Sequence, residues 1–237
     1  MGIVRMGPPE ELVLLLKRHL NVSTFVETGT FKGETAAWAS HHFKKVITIE
    51  NSKIYFDEAK TTHKDLHNVE FLFGDSRSVI KDILGQILEP AIFWLDAHWC
   101  GLDSEGSNDQ CPIIEEIKLI GSTGIKHCIF IDDARFFLSP PPLPNRIELW
   151  PTIDQLCTAI RSINKSYYIV VFEDVIIGTH ERTRPLVSEY CQEINTRSLQ
   201  QHGTAVAFGA NGLDIIRQGV RMVARGAWRR VTRAARF

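Results

Sequence analysis

The amino-acid sequence predicts one α/β domain in which helices cover both faces of a doubly wound, mostly parallel β-sheet. The first observation is the alternation of helix-like and strand-like segments from residue 9 to residue 131. The second is that the strand-like segments are nearly continuous apolar runs, which is typical of strands buried on both faces. The third lies later in the chain, where two β-rich runs over 167–172 and 175–178 flank Glu173-Asp174 and predict an antiparallel hairpin.

The individual elements follow from their apolar patterns and from the residues at their ends. Helices are predicted over 9–20, 34–42, 53–63, 76–87 and 112–119. Strands are predicted over 24–27, 45–50, 69–73, 91–95 and 127–131, with a further edge strand over 204–208. In the predicted helix over 112–119, Glu115 and Glu116 lie near the start and are expected to interact with the helix dipole. The proline-rich run 139–144 and Trp150 are expected to form one wall of a ligand pocket.

The composition excludes several classes of protein. With 237 residues, 44% hydrophobic and 23% charged, the chain can bury a core, which excludes a disordered, collagen-like or coiled-coil protein. No apolar run approaches the length of about 20 residues that a membrane span needs, and the first residues lack the hydrophobic stretch of a secretory signal. Five cysteines form no CxxC pair, and one stays unpaired in any disulfide scheme. We therefore expect a reduced, cytoplasmic protein.

The net charge of −1 is the sum of two unlike parts. Residues 1–214 hold 20 bases and 28 acids, whereas the residues that follow contain no acid. The arginines of that last part are Arg217, Arg221, Arg225, Arg229, Arg230, Arg233 and Arg236. Their spacing predicts a basic amphipathic helix in a tail over 211–237, which follows a domain over 1–210.

Three partners remain open for this tail. One is peripheral contact with an anionic membrane, to which each arginine contributes about 1 kcal/mol. Another is the backbone of a nucleic acid, although no base-reading motif supports it. The third is docking on the acidic domain or on a second subunit of a homo-oligomer.

A glycine-containing turn follows the first predicted strand. Glu27 ends the strand, and Gly29 and Gly33 precede the next helix. Glycines allow a sharp turn and the close approach of a ligand, and the helix offers unpaired N–H groups to a polar or anionic group. The spacing is neither G-x-G-x-x-G nor a Walker motif, which argues against a nicotinamide-dependent oxidoreductase and a P-loop enzyme. A tight turn without a ligand is the alternative.

The next two strands also end in polar residues. Glu50 lies about 20 residues after the first glycine, where a carboxylate can accept both hydroxyl groups of a ribose. Gly74-Asp75-Ser76 ends the third strand, where an acid or a hydroxyl can contact an adenine amino group. Ligands of open α/β sheets bind at the carboxyl ends of the strands, so the three motifs together predict a nucleoside site.

In these motifs the chain resembles the class I S-adenosylmethionine-dependent methyltransferases, whose sheet is Rossmann-like. The motifs are Val26-Glu27-Thr28-Gly29-Thr30-Phe31-Lys32-Gly33, Ile49-Glu50 and Gly74-Asp75-Ser76. The resemblance implies S-adenosylmethionine as cofactor, with Glu27 and Gly29 near its methionine part, Glu50 on the ribose, and Asp75 and Ser76 beside the adenine. The remaining residues of the predicted cofactor site are Thr30, Gly33, Asn51 and Gly74.

Aspartates follow the fourth and fifth predicted strands. Asp96 ends one strand, and Asp132 and Asp133 end the other, so neighbouring strands would bring three carboxylates together. Like charges so close raise each other's pKa, and Mg²⁺ or Mn²⁺ would relieve the repulsion. The alternative has no metal: Asp132 caps a helix and Asp133 pairs with Arg135.

The pattern Asp96-Ala-His98-Trp99 is similar to the metal-dependent O-methyltransferase branch that includes catechol O-methyltransferase and, more loosely, to macrocin O-methyltransferase. This chain lacks the lysine that follows the motif in the catechol type. His98 is the replacement candidate for the general base, because an imidazole can accept a proton at neutral pH. Asp96 and His98 are therefore the predicted catalytic residues, and the polar loop 100–111 is a candidate for substrate contacts.

Together these observations predict an enzyme that transfers a methyl group to a hydroxyl of a small molecule or a sugar, assisted by a divalent metal. The alternative is a non-catalytic protein of the same fold that binds a nucleoside or a protein partner.

Overall fold

A computed structural model of the chain describes residues 6–99 and 108–203, the last three by their backbone alone. The loop predicted over 100–111 is therefore described only from residue 108, and the predicted strand over 204–208 and the basic tail over 211–237 lie outside the described residues. The described residues belong to two units, the first ending at Pro185 and the second beginning at Leu186.

The strands alternate with helices as the sequence predicts. The strands are β1 Thr24–Thr28, β2 Lys45–Glu50, β3 Val69–Phe73, β4 Ile92–Leu95, β5 Cys128–Ile131, β6 Tyr167–Phe172 and β7 Val175–His180. The α-helices are α1 Glu10–Leu20, α2 Glu34–Ser40, α3 Lys53–Thr62, α4 Ser76–Ile83, α5 Ile113–Gly121, α6 Arg135–Leu138, α7 Ile153–Ile163 and α8 Arg184–Gly203. Short 3₁₀ turns occupy Leu84–Gln86, Ile147–Leu149 and Glu181–Thr183.

The seven strands form one sheet in the order β3-β2-β1-β4-β5-β7-β6. The pairs from β3 to β5 are parallel, and β7 is antiparallel to both β5 and β6, which confirms the predicted fold class and the hairpin. The strand order reverses between β1 and β4, and ligands of open α/β sheets bind at such a switch point. The site is therefore expected where the carboxyl ends of β1 and β4 meet.

Some elements differ from the predictions. Helix α4 ends at Ile83 rather than continuing to residue 87, and a 3₁₀ turn that contains Gly85 follows it. Helix α7 was not predicted, although a capping box marks its start: the Thr152 side chain accepts from the backbone of Gln155 and the Gln155 side chain accepts from that of Thr152. Helix α8 was not predicted either.

The core lies on both faces of the central strands. Every residue of β4 and β5 is buried, and Phe93, Ile129 and Ile131 belong to the main apolar cluster with Ile113 and Ile117 of α5. This packing fixes where β4 and β5 end, and so it fixes the aspartates that follow them. None of the helices among the described residues combines the length and the apolar character that crossing a bilayer requires.

Candidate active site

A cavity of about 570 Å³ opens at the carboxyl ends of the parallel strands. Its lining contains these residues of the predicted cofactor site: Gly29, Glu50, Asn51, Gly74, Asp75 and Ser76. It also contains the predicted catalytic and metal-binding residues Asp96, His98, Asp132 and Asp133. The fold thus brings the two predicted groups of residues to one cavity.

Backbone hydrogen bonds beyond the strand ends hold these turns in place. The Gly29 N–H donates to the Ile49 carbonyl at 2.9 Å, and the Gly74 N–H donates to the Glu50 carbonyl at 2.9 Å. On the other side of β1, the Asp96 N–H donates to the Thr28 carbonyl at 3.0 Å. The parallel ladder therefore continues by one residue into each turn, which fixes the first residue after each strand.

Gly29 is required by the geometry of its turn. It adopts a φ of +86°, which side chains rarely adopt, and a Cβ there would lie 2.3 Å from the Asp96 carbonyl oxygen. Gly33 has a φ of +78° and precedes α2, where a Cβ would lie 2.7 Å from the His63 ring. Gly33 is therefore required by the conformation of the turn before α2, although it does not line the cavity.

Two other predicted cofactor residues, Glu27 and Thr30, lie beneath the cavity instead of lining it. Glu27 is buried and accepts a hydrogen bond of 2.6 Å from the Thr48 hydroxyl, and the Thr30 and Thr48 hydroxyls are 2.6 Å apart. Burial raises the pKa of Glu27 to about 8, despite the hydroxyl groups that lower it. Glu27 is thus a neutral, hydrogen-bonded support of the turn at pH 7.

Glu50 is held rigidly at the end of β2. Its Oε2 accepts from the Phe31 N–H at 2.8 Å, and its Oε1 accepts from the Ser52 N–H at 2.8 Å. A carboxylate oxygen has two acceptor positions, so each oxygen keeps one for a ligand. Phe31 and Tyr55, which also line the cavity, pack edge to face with centroids 4.8 Å apart.

Asp75 is occupied by its neighbour Arg77. The Asp75 Oδ1 accepts from the Arg77 backbone N at 2.9 Å and from Nε at 3.0 Å, and Oδ2 accepts from Nη2 at 2.6 Å. The Arg77 hydrogen bonds outweigh partial burial and lower the pKa of Asp75. Arg77 also pairs with Asp109 at 2.6 Å, so it joins the start of α4 to the loop after β4. Arg77 is not among the predicted site residues.

Asp96 follows β4 and Asp132 follows the neighbouring strand β5, and the charge of Asp132 acts on Asp96. Burial raises the pKa of Asp96 well above its ordinary value, and the charges of Asp132, Asp133 and Glu116 add to that effect. Burial, followed by the charge of Asp133, raises the pKa of Asp132 to about 7. The repulsion that the sequence predicts at this edge of the sheet is therefore present in the structure.

Asp133 differs from these two acids because it is paired with a histidine and an arginine. It has a φ of +54°, and its Oδ2 lies 2.7 Å from His98 Nε2 while its Oδ1 lies 2.6 Å from Arg135 Nη1. Burial alone would raise the pKa of Asp133, but His98 and Arg135 outweigh burial and lower it. Arg135 is held in turn by Asp174, in the turn between β6 and β7, whose Oδ1 accepts from the Arg135 backbone N at 3.0 Å.

His98 is fixed from several sides. Its Nε2 faces Asp133, and its buried Nδ1 has no hydrogen-bond partner among the described residues and lies 3.7 Å from Asp96 Oδ1. Trp150, which the sequence predicts beside the site, packs on the His98 ring with centroids 5.3 Å apart. The Trp150 Nε1 donates to Gln110 Oε1 at 3.0 Å. This hydrogen bond holds the indole ring in the position where it packs against His98.

The three aspartates do not fit a metal site as they stand. Both oxygens of Asp133 already face Arg135 or His98, Asp96 Oδ1 lies 3.7 Å from His98 Nδ1, and Asp132 Oδ1 accepts from the Asp133 N–H at 2.7 Å. Within residues 6–99 and 108–203, no group of three or more His, Cys, Asp or Glu side chains is placed to hold a metal ion. The Mg²⁺ or Mn²⁺ site stays a sequence prediction, while the ion pair of Asp133 with Arg135 follows the alternative that needs no metal.

Arg135 and Glu116 are the other charged residues that the sequence analysis did not place at this site. Arg135 lines the cavity, and its signal in the sequence was the alternative pairing with Asp133. Glu116 lies on α5 with none of its surface exposed. A charged residue between apolar residues of an amphipathic helix is the signal that marks it, because Ile113, Glu116 and Ile117 share the buried face of α5.

Comparison with known proteins extends the description of the fold. No family model matches the sequence, and no curated protein does. The structure is similar to the O-methyltransferase from Bacillus cereus in complex with SAH, with a TM-score of 0.55, 14% identity, and coverage of 74% of this chain and 82% of that chain. A SAH-bound methyltransferase from Podospora anserina has a TM-score of 0.49 and 15% identity, and the match covers 74% of this chain and 80% of that chain. At 14% identity the likeness is one of fold, and this chain therefore shares the Rossmann-like fold of the Bacillus cereus enzyme.

Proposed function

We propose that this protein is an S-adenosylmethionine-dependent methyltransferase that methylates a hydroxyl group of a small molecule or a sugar. The observation that carries the proposal is the composition of the single cavity at the strand ends. One side of it carries Gly29, Glu50 and Asp75, which we propose to bind a nucleoside, and the other side carries a histidine between two aspartates. A protein that only binds a nucleoside needs the first side alone.

The cofactor side is proposed to hold S-adenosylmethionine along the ends of β1, β2 and β3. Gly29 lines the cavity and lets the chain turn sharply after β1, because its φ of +86° suits glycine. Glu50 keeps one acceptor position on each oxygen for the two hydroxyls of a ribose. Asp75 and Ser76 border the cavity at the end of β3, where the adenine is proposed to lie.

The acceptor side is proposed to bind and deprotonate the hydroxyl. Asp133 accepts from His98 Nε2, which leaves Nδ1 as the ring atom that can take a proton. Asp96, whose Oδ1 lies 3.7 Å from that nitrogen, would hold the acceptor hydroxyl. In the transfer, the acceptor oxygen forms a bond to the methyl carbon and the proton moves to His98. The carbon–sulfur bond breaks with its electron pair left on sulfur, which yields S-adenosylhomocysteine.

Calorimetry with S-adenosylmethionine and S-adenosylhomocysteine tests the cofactor assignment. We expect saturable binding of both to the wild-type protein, with NADH as a dinucleotide that does not bind. If neither sulfur compound binds, the proposed function is wrong. Formation of S-adenosylhomocysteine with a panel of catechols, flavonoids and monosaccharides then tests methyl transfer.

The variant His98→Gln separates an enzyme from a binding protein. Removing a general base lowers kcat by about 10²–10⁴, while the binding of S-adenosylhomocysteine is expected to persist because His98 lies on the acceptor side. Unchanged turnover in this variant would reject His98 as the base. Cofactor binding without turnover on any acceptor of the panel would favour the non-catalytic alternative.

Divalent-metal assistance has its own test, because no step above depends on it. The ion pairs of Asp133 lead us to expect no saturable Mg²⁺ or Mn²⁺ binding by calorimetry in the absence of other ligands. Stoichiometric binding that is lost in Asp132→Asn would reinstate the metal site and would require Asp133 to change partners.

A further inference from the structure

The described lining of the cavity contains more acidic groups than basic ones. Its acids are Glu50, Asp75, Asp96, Asp109, Asp132 and Asp133, and its arginines are Arg77 and Arg135. Arg77 already pairs with Asp75 and with Asp109, each at 2.6 Å. Arg135 already pairs with Asp133 at 2.6 Å. The acids that these arginines do not balance give the cavity a negative potential, which attracts cations and repels anions.

Asp132 is the most deeply buried of these acids and lacks a cationic partner. It is 7% exposed, and its Oδ1 accepts from the Asp133 N–H at 2.7 Å. Its Oδ2 has neither a hydrogen-bond partner nor an ion pair among the described residues. A carboxylate oxygen buried to this degree needs a donor. Because Asp132 lines the cavity, we expect a ligand in the cavity to supply that donor.

The register of the sheet places Asp132 beside Asp96. Leu95 and Ile131 are partners in the parallel ladder of β4 and β5, and the Asp132 N–H donates to the Leu95 carbonyl at 3.1 Å. The residues that follow the two strands therefore lie on backbones about 4.8 Å apart. In the proposed function Asp96 holds the acceptor hydroxyl, so a group that Asp132 binds belongs to a nearby carbon of the same molecule.

An ammonium group fits this position better than the alternatives. It offers three N–H donors and a positive charge, and hydrogen bonds between charged groups are about twice as strong as those between neutral ones. A second hydroxyl could donate to Asp132, but it would leave the negative charge unbalanced. A carboxylate or a phosphate would add a further negative charge and would bring no donor.

We propose that the methyl acceptor is an amino alcohol or an amino sugar, whose ammonium group binds Asp132 while a hydroxyl on a nearby carbon binds Asp96. This inference rests on the proposed function and names its class of acceptor. The ammonium nitrogen has no lone pair, so it cannot attack the methyl group. The methyl group is therefore transferred to the hydroxyl oxygen.

The test titrates three ligands with the same ring into the complex with S-adenosylhomocysteine at pH 8. They are trans-2-aminocyclohexanol, trans-cyclohexane-1,2-diol and trans-2-hydroxycyclohexanecarboxylate. At this pH the amine is protonated and Asp132, with a pKa of about 7, is ionised. The amine should bind at least about tenfold more tightly than the diol, and the carboxylate should bind more weakly than both.

Asp132→Asn removes the charge and keeps an oxygen that can accept from the Asp133 N–H. The ratio of the dissociation constants of the diol and the amine should fall by about tenfold, mainly because the amine binds more weakly. A merely structural role of Asp132 would weaken the three ligands equally. Asp109→Asn is the matched control, because it removes a charge from the same lining at a residue that pairs with Arg77. Its ratio should stay within about threefold of that of the wild type.

The sulfonium of S-adenosylmethionine is another cation that Asp132 could serve. S-Adenosylhomocysteine has no sulfonium, so the ratio of the dissociation constants of these two compounds reports that role. We expect this ratio to be the same in the wild type and in Asp132→Asn. If Asp132→Asn weakens S-adenosylmethionine alone, Asp132 serves the cofactor and the inference is overturned.

The remaining outcomes separate this inference from the proposed function. If S-adenosylhomocysteine does not bind to the wild-type protein, the proposed function fails, and the acceptor class fails with it. If it binds, but the amine does not bind or binds no more tightly than the diol, the acceptor class is wrong and the cofactor assignment stands. An unchanged preference in Asp132→Asn also overturns the inference. If Asp132→Asn does not fold, the order of the three ligands in the wild-type protein decides.

Discussion

The two sides of the cavity are stabilised in different ways. At the ends of β2 and β3, the half-buried carboxylates are held by local donors: Glu50 by backbone N–H groups, and Asp75 by the arginine two residues later. At the ends of β4 and β5, burial and neighbouring acids raise the pKa values of Asp96 and Asp132. Asp133 there depends on contacts from His98 and Arg135, and Arg135 depends on Asp174 from the distant hairpin.

This difference indicates which side of the cavity is preorganised for a ligand. The side of β1 to β3 has its polar groups in place before any ligand arrives, as preorganised binding requires. On the side of β4 and β5, the pKa values of two acids are raised. Binding of a charged ligand is therefore expected to change whether these acids hold a proton. Binding is thus expected to depend on the first side and chemistry on the second.

The largest effect is expected from Gly29→Ala, which disrupts the turn on the binding side. The added Cβ would lie 2.3 Å from the Asp96 carbonyl oxygen, at a φ of +86° that alanine disfavours, so the turn and the end of β4 must separate. We expect the free energy of unfolding to fall by about 2–4 kcal/mol, and binding of S-adenosylhomocysteine to be lost. Urea unfolding and calorimetry measure the two.

Gly85→Ala is the control for this variant, because nothing lies within 4 Å of a Cβ at Gly85. Its stability should differ from that of the wild type by less than about 1 kcal/mol. Equal effects of the two alanines would mean that the approach of Asp96 to Gly29 has no special importance.

A comparably large effect, of opposite sign, is expected from Glu27→Gln. The pKa of Glu27 is about 8 in the folded protein and 4.5 without its surroundings, so between these values the folded state holds a proton that the unfolded state releases. Stability must therefore fall as pH rises from about 4.5 to 8, and at pH 7 the cost is about 3 kcal/mol. Because glutamine has no proton to hold, Glu27→Gln should be more stable than the wild type at pH 7 and equal to it near pH 4.

Unfolding in urea at pH 4, 5, 6, 7 and 8 checks this prediction. Glu34→Gln is the control on the neighbouring helix, because Glu34 is exposed, and its difference from the wild type should not vary with pH. A difference between Glu27→Gln and the wild type that is the same at every pH would show that Glu27 is ionised in the folded protein. The binding side would then carry a buried charge, as the other side does.

Asp133→Asn tests the chemical side and should lower kcat by about a hundredfold. Asparagine tolerates the φ of +54° at this position, so the backbone should keep its form, while the charge that pairs with His98 and Arg135 is lost. Because these contacts are with His98 and Arg135 and not with the turns proposed to bind the nucleoside, the dissociation constant of S-adenosylhomocysteine should change by less than about threefold. Rates of S-adenosylhomocysteine formation and calorimetry measure the two effects.

Asp57→Asn, which removes an exposed ion pair with Lys53 on α3, is the control for loss of an ion pair and should leave kcat unchanged. If Asp133→Asn instead weakened cofactor binding and left kcat intact, the division of the cavity into a binding side and a chemical side would be wrong.

The same two sides differ in how far the sequence predicts them. The strand over 45–50 and the position of Glu50 at its end follow from one short apolar run and the residue after it, and the structure has them as predicted. The pairing of Arg135 with Asp174 joins residues 39 positions apart, so no local pattern could reveal it. Sequence predicted that Asp96, Asp132 and Asp133 would meet, because neighbouring strands end together, but it could not tell which partners each would take.

Burial of single polar residues was the other limit of sequence reasoning. Glu115 and Glu116 were both expected to interact with the helix dipole, yet Glu116 is fully buried and Glu115 is exposed, because Glu116 shares the buried face of α5 with Ile113. Glu27 and Thr30 belong to the turn motif, but they face Thr48 beneath the cavity. A motif therefore predicts which residues build a turn better than it predicts which of them touch a ligand.

The smallest effect is expected from Glu50→Gln, and it concerns the preorganisation of the binding side. One of the two oxygens becomes an NH₂ group, which cannot accept from the Phe31 or the Ser52 N–H that it faces at 2.8 Å. Loss of one such bond and of one acceptor for the ribose should weaken S-adenosylhomocysteine about tenfold. The affinity for the 2′-deoxy analogue should fall less than the affinity for the parent compound, because the analogue lacks one of the hydroxyls that Glu50 would hold.

Glu58→Gln is the control, because Glu58 is an exposed residue of α3, and this variant should bind both ligands as the wild type does. Equal losses for the two ligands would mean that Glu50 only shapes the turn through Phe31 and Ser52, and the ribose would then have to be held elsewhere in the cavity.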